Sequence, residues 1–133
     1  MTQHIRRIAI AAAAVVAAVT LAACGGGSAV QTVDPATFAT QVQTPGVTVV
    51  DVRTPAEYAS GHIQGAININ WEGDFTSGIA KLDKTKTYAV YCHSGNRSGQ
   101  ATQAMADAGF THIYNLDGGV INWTTAGYSL VTN

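Results

Sequence analysis

The sequence predicts an α/β/α sandwich built on a mainly parallel sheet, and three observations predict it. Short runs rich in β-branched and aromatic residues recur at 47–52, 66–69, 87–91 and 112–115. Between them lie segments that open on helix-capping residues or carry apolar side chains at helical spacing. The chain has 133 residues and no internal repeat, which allows one domain of usual size. Strands separated by helices pair in parallel with helices on both faces, because each crossover returns the chain to the same end of the sheet.

The N-terminal segment stands outside that fold. The chain is 47% hydrophobic and only 11% charged, against roughly 25% charged in an ordinary soluble domain. Residues 1–23 hold 17 of the 62 hydrophobic residues. Residues 8–23 are apolar apart from Thr20, Arg6 and Arg7 precede them, and no charge appears between Arg7 and Asp34. A basic start, an apolar run and then small residues form the pattern of an export signal. The run of 16 residues is short of the roughly 20 that a permanent membrane-spanning helix needs.

Leu21-Ala22-Ala23-Cys24, followed by Gly25-Gly26-Gly27-Ser28, resembles the lipobox of bacterial lipoproteins. The resemblance implies that Cys24 is acylated and becomes the mature N-terminus when the signal peptide, residues 1–23, is removed. The protein is then expected at the cell membrane, lipid-anchored through Cys24 and facing the extracytoplasmic side. Residues 24–33 serve as the lipidated N-terminus and a flexible tether reaching about 15–18 Å. A short, uncleaved signal anchor is the alternative. The exported part keeps 5 Lys+Arg against 8 Asp+Glu, a charge of −3. That balance excludes a nucleic-acid-binding face, which needs cations to neutralise phosphates.

Residues 34–133 form the folded domain. Asp34 caps free amides and Pro35 suits a first helical turn, so a helix runs to about Gln43 and stops before Pro45-Gly46. The run at 47–52 reads as a strand buried on both faces. Thr54-Pro55-Ala56-Glu57 is a capped helix start, and Gly61 and Gly65 bracket a turn before a strand at 66–69. A polar stretch at 70–76 leads to a weak helix at 77–82, then a strand at 87–91 that ends at Cys92. From Ser98 the pattern turns helical: Ala101, Ala104, Met105 and Ala108 share one face, and Gly109 stands where a C-terminal cap belongs. A last strand at 112–115 and a helix at 120–125 follow. In such a sheet ligands bind at the carboxyl ends of strands, where Asp51 and Cys92 stand.

The segment Cys92-His93-Ser94-Gly95-Asn96-Arg97-Ser98 lies between a strand and a helix N-terminus. Gly95 relieves the steric cost of turning several amides inward, and the helix N-terminus adds free N–H groups and partial positive charge. Arg97 adds a full charge. All three favour thiolate over thiol and make Cys92 a candidate nucleophile beneath an anion site. A cysteine that merely fills space is the alternative, but Gly, Ser, Asn and Arg in succession make a poor core.

Asp51-Val52-Arg53, Glu57-Tyr58, Gly61-His62-Ile63, Gly65-Ala66-Ile67-Asn68, the Cys92 loop and Gly118-Gly119-Val120-x-x-Trp123 resemble a rhodanese (sulfurtransferase) domain. The resemblance spans about 33–130, and Gln64 departs from a proline common in the family. It implies a three-layer α/β/α domain with a five-stranded central sheet. It also implies that Cys92 takes sulfane sulfur from a small donor such as thiosulfate, carries it as a transient persulfide, and yields it to a thiol or to cyanide. Backbone amides from His93 to Ser98 would stabilise the persulfide, and Arg97 would bind the donor's sulfonate. No metal or organic cofactor is required. Related cysteine phosphatases use Cys-x5-Arg, whereas four residues separate Cys92 from Arg97, a tighter loop suited to sulfur.

The other marked residues have quieter roles. Asp51, Arg53 and Glu57 are spaced for an ion pair and a helix cap supporting the active face. His62 reads as a local hydrogen-bonding anchor. His93 either tunes the thiolate or faces solvent. Trp71, Phe75 and Trp123 are core or rim residues, and His4 and His112 carry no signal. Two cysteines are too few for an all-cysteine zinc site, and with Cys24 lipidated Cys92 has no disulfide partner. The rival to an enzyme is a binding or sensing module of the cell envelope that keeps the fold without turnover and docks an envelope protein.

Overall fold

The computed structural model describes residues 28–133, in which short strands and helices alternate. The order is β1 (Val30–Val33), α1 (Pro35–Gln43), β2 (Val47–Asp51), α2 (Pro55–Ser60), β3 (Ile67–Asn68), α3 (Phe75–Ala80), β4 (Thr87–Tyr91), α4 (Asn96–Asp107), β5 (His112–Leu116) and α5 (Gly119–Thr125). The strands lie in the order β1-β5-β4-β2-β3, and every pair is parallel. The five-stranded α/β/α expectation is met.

Alternation along the central strands divides the interior into two cores, because successive side chains point to opposite faces. Tyr88, Val90 and Cys92 join Val50, Val52, Phe75, Ile79, Ala101 and Met105 on the face covered by α3 and α4. Ala89 and Tyr91 join Val49, Phe38, Leu116, Val120 and Trp123 on the face covered by α1 and α5, with Tyr58 of α2 packed against them. Phe38 and Tyr91 are fully buried and meet edge to face with centroids 6.3 Å apart. Burying each such side chain stabilises the fold by about 1.5–3 kcal/mol.

The helix starts follow their sequence signals. Asp34 Oδ1 accepts from the Thr37 amide at 2.8 Å. Thr54 and Glu57 form a complete capping box on α2. Differences lie at the margins. α4 begins at Asn96 rather than Ser98, behind Gly95 in the left-handed region at φ +96. α3 lies two residues earlier than the weak pattern suggested, and β3 is only two residues long.

The tether reading of 24–33 needs correction at its C-terminal end. Val30–Val33 forms the edge strand β1 and pairs with β5 from Val30↔Ile113 to Val33↔Leu116. Its polar centre, Gln31-Thr32, is exposed and imitates a linker. The expected signal peptide at 1–23 and the expected lipidation site Cys24 lie outside the described residues. Among the described residues, no helix is long and apolar enough to cross a membrane.

The topology opens a crevice between β2 and β4. From β2 the chain moves outward to β3 through α2, which packs on one face; from β4 it moves the other way to β5 through α4, on the opposite face. Loops diverging from adjacent parallel strands leave a binding site at their carboxyl ends. The loops after Asp51 and Tyr91 form that site.

Candidate functional site

Cys92 directly follows β4 and is fully buried at the base of its loop. The Gly95 amide donates to Sγ at 3.1 Å, which Gly95's positive φ makes possible by turning the peptide inward. The thiol donates to Ser98 Oγ at 3.4 Å, and Ser98 Oγ donates to the Gly95 carbonyl at 3.3 Å. The first-turn amides of Asn96, Arg97 and Ser98 donate to no backbone carbonyl among the described residues. They form the electropositive end of α4 beside the sulfur.

A second element sets the loop from behind. The Val120 amide donates to Cys92 O at 3.0 Å, and the Ile121 amide to His93 O at 3.1 Å. The loop carbonyls therefore point at α5, which leaves the amide side for the crevice. Gly119, at φ +57, permits this approach: a Cβ there would lie on the Cys92 carbonyl oxygen and against the His93 carbonyl. The Gly118-Gly119 motif had no assigned role from sequence; it is the seat of the cysteine loop.

The remaining loop side chains separate into two kinds. His93, Ser94 and Asn96 are exposed, and the hydrogen bonds of Cys92 Sγ go to Gly95 and Ser98 rather than to His93. Ser98 is buried and touches the sulfur. Arg97, expected to bind the donor's sulfonate, has its guanidinium engaged by carboxylates. Its two terminal nitrogens each donate to Glu57, at 2.8 Å to Oε2 and 2.8 Å to Oε1, and Glu72 Oε2 lies 4.0 Å away. The paired hydrogen bonds to Glu57 raise the Arg97 pKa above its ordinary value. They hold the Glu57 carboxyl down at about 2, with help from the Thr54 amide. Sequence spacing showed Glu57 only as a cap, because its partner lies 40 residues away.

Asp51 and Arg53 form the expected ion pair, and it is structural. Asp51 is fully buried and accepts from Arg53 Nη2 at 2.7 Å, from the Arg53 amide at 2.9 Å and from the Tyr91 hydroxyl at 2.8 Å. Arg53 also donates to the Gly61 carbonyl at 2.6 Å and lies over the Tyr91 ring, 5.7 Å from its centroid. Burial opposes the charge on Arg53, yet the Asp51 hydrogen bond and attraction outweigh it and raise the pKa. Burial and the Asp51 carboxylate raise that of Tyr91. The Ile63 amide donates to Tyr91 Oη at 2.9 Å, so the network ties β2, β4 and the 61–63 turn together. His62 stacks on Tyr58 at 3.9 Å and bonds the Tyr58 carbonyl through Nδ1 at 3.0 Å, the anchor expected of it. Among the described residues, no group of three or more His, Cys, Asp or Glu is placed to hold a metal ion.

Comparisons with known proteins agree with this geometry. The family model described as "Rhodanese-like domain" matches residues 34–126. The thiosulfate sulfurtransferase PspE of Escherichia coli is 43% identical over 70 residues, covering 52% of this chain and 67% of that protein. The thiosulfate sulfurtransferase GlpE of Pseudomonas paraeruginosa is 39% identical over 87 residues, covering 64% and 76%. The crystal structure of a rhodanese-related protein from Thermoplasma volcanium superposes with a TM-score of 0.70 at 31% identity, covering 77% of this chain and 99% of that one.

Proposed function

From the premise that the chain belongs to the rhodanese-like domain family, we propose that it is a sulfurtransferase that carries sulfane sulfur on Cys92. The Cys92 thiolate attacks the outer sulfur of thiosulfate. The S–S bond breaks, sulfite leaves with the electron pair, and Cys92 retains a persulfide. A thiol in the cell, or cyanide in the test tube, then attacks the outer sulfur and regenerates the thiolate. The two half-reactions give ping-pong kinetics.

One observation carries the reading: Sγ lies at the sheet's switch point, within 3.1 Å of an inward amide, in the loop that leads into the N-terminus of α4. Such donors stabilise an anion on the outer sulfur, and no resident cofactor has a part in the chemistry. The relatives' names, thiosulfate sulfurtransferases from two bacteria, support thiosulfate as donor. The purified protein should form thiocyanate from thiosulfate and cyanide, and Cys92→Ser should abolish it. Equal rates from both would remove the enzyme and leave the binding or sensing module.

We propose further that the protein is exported and held at the extracytoplasmic face of the membrane by lipid on Cys24. The support is the sequence of residues 1–28 alone. Cys24→Ala should release the protein from membranes or leave an uncut precursor; normal cleavage with unchanged membrane retention would contradict it.

A further inference from the structure

The loop's one guanidinium is not free to receive a substrate. Glu57 occupies both of its terminal nitrogens at 2.8 Å, and Glu72 stands 4.0 Å away. One cation with two carboxylates leaves this part of the site mouth at a local charge of −1. The Arg97 and Glu57 side chains are 23% and 34% exposed, so an incoming anion has access to the pair but must compete with it. Glu57 is itself fixed from the other side, because Thr54 donates to its Oε2 through the amide at 3.0 Å and the hydroxyl at 2.9 Å. α2 therefore presents a preformed carboxylate to α4 across the crevice.

We infer that Glu57 is a specificity-determining residue of the donor site, acting by holding Arg97 so that doubly charged donors bind less well than singly charged ones. The inference rests on the sulfurtransferase reading. A dianion loses most, because it must displace one carboxylate from the fork and remain beside two. A monoanion with the same reactive sulfur loses less. Thiosulfate and methanethiosulfonate make that pair: each has a terminal sulfane sulfur bonded to an oxidised sulfur. Attack by the Cys92 thiolate gives the Cys92 persulfide plus sulfite from the first, and the same persulfide plus methanesulfinate from the second. Charge balances in both, and no outside oxidant or reductant takes part.

The experiment measures kcat/KM for each donor with cyanide as acceptor, in wild type and in Glu57→Gln. In a ping-pong scheme this quantity reports the first half-reaction alone. Glutamine still closes the capping box, so the fold is retained and its melting curve checks it. The expected result is a rise of about 3- to 10-fold for thiosulfate, carried by a lower KM, the net size of one ordinary hydrogen bond regained at a part-exposed site. Methanethiosulfonate should change less than thiosulfate. Glu72→Gln, on a more exposed side chain, should shift the same ratio in the same direction by less. Equal factors for both donors, or a fall for thiosulfate, would overturn the inference and leave Glu57 as a structural clamp. Absence of Cys92-dependent turnover in wild type would overturn the underlying reading, and this inference with it.

Discussion

Two arginine–carboxylate pairs stand at the carboxyl ends of neighbouring strands, and they differ in what surrounds them. Asp51–Arg53 lies within the fold, with side chains 0% and 4% exposed. Its remaining bonds go to the Tyr91 hydroxyl, the Gly61 carbonyl and a backbone amide. Glu57–Arg97 lies at the site mouth, where water reaches both partners. A buried pair has nothing to replace a lost partner, so it fixes geometry; an accessible pair can exchange partners with water or with an anion. The same two functional groups thus serve as a rivet in one place and as an adjustable contact some residues away.

The largest effect should come from neither pair. Cys92→Ser should lower thiocyanate formation by about a thousandfold or more, to background, while leaving the melting temperature near that of wild type. Arg53→Ala should do the reverse. It strands the Asp51 carboxylate in the core and should cost about 3–5 kcal/mol in urea unfolding. Whatever protein remains folded should keep its rate per molecule. If Arg53→Ala lost activity without losing stability, the division between rivet and contact would fail.

Gly119→Ala probes the seat of the loop. The new Cβ would press on the Cys92 carbonyl, at a φ of +57 that alanine tolerates poorly. The expected outcome is about 1–3 kcal/mol of destabilisation together with a fall in activity, because the displaced carbonyl carries the loop with it.

The smallest effect separates the pairs by pH. The Glu57 carboxyl is held near 2, against 4.5 ordinarily, so its pairing stabilises the fold above about pH 4.5 and fades as pH falls toward 2. Because the pair is part-exposed, that contribution is at most about 1 kcal/mol. Glu57→Gln should therefore flatten the acid limb of stability against pH by that small amount. A steeper limb in the variant would contradict the assignment.

What the sequence revealed depended on whether the signal was local. β2 and β4 announced themselves because both faces are buried and the residues are correspondingly β-branched or aromatic. The α2 capping box and the His62 anchor also lie within a few residues of their partners. β1 escaped because an edge strand needs only one partner, and Gln31-Thr32 faces solvent as a linker would. Within the site, Cys92, Gly95 and Ser98 were legible from one loop. The Glu57–Arg97 pair and the Tyr91 hydroxyl on Asp51 each join residues 40 apart, and only the Asp51↔Tyr91 register and the meeting of the first turns of α2 and α4 across the crevice bring them together. The role of Gly118-Gly119 was hidden for the same reason: the carbonyl it accommodates belongs to another loop.

The central claim is that Cys92 carries the sulfur. Peptide mass analysis of the purified protein after thiosulfate treatment tests it without reference to any acceptor. The account predicts one added sulfur atom on the peptide containing Cys92, removed by cyanide and absent from Cys92→Ser. No added sulfur on that peptide, or the same gain in Cys92→Ser, would contradict it.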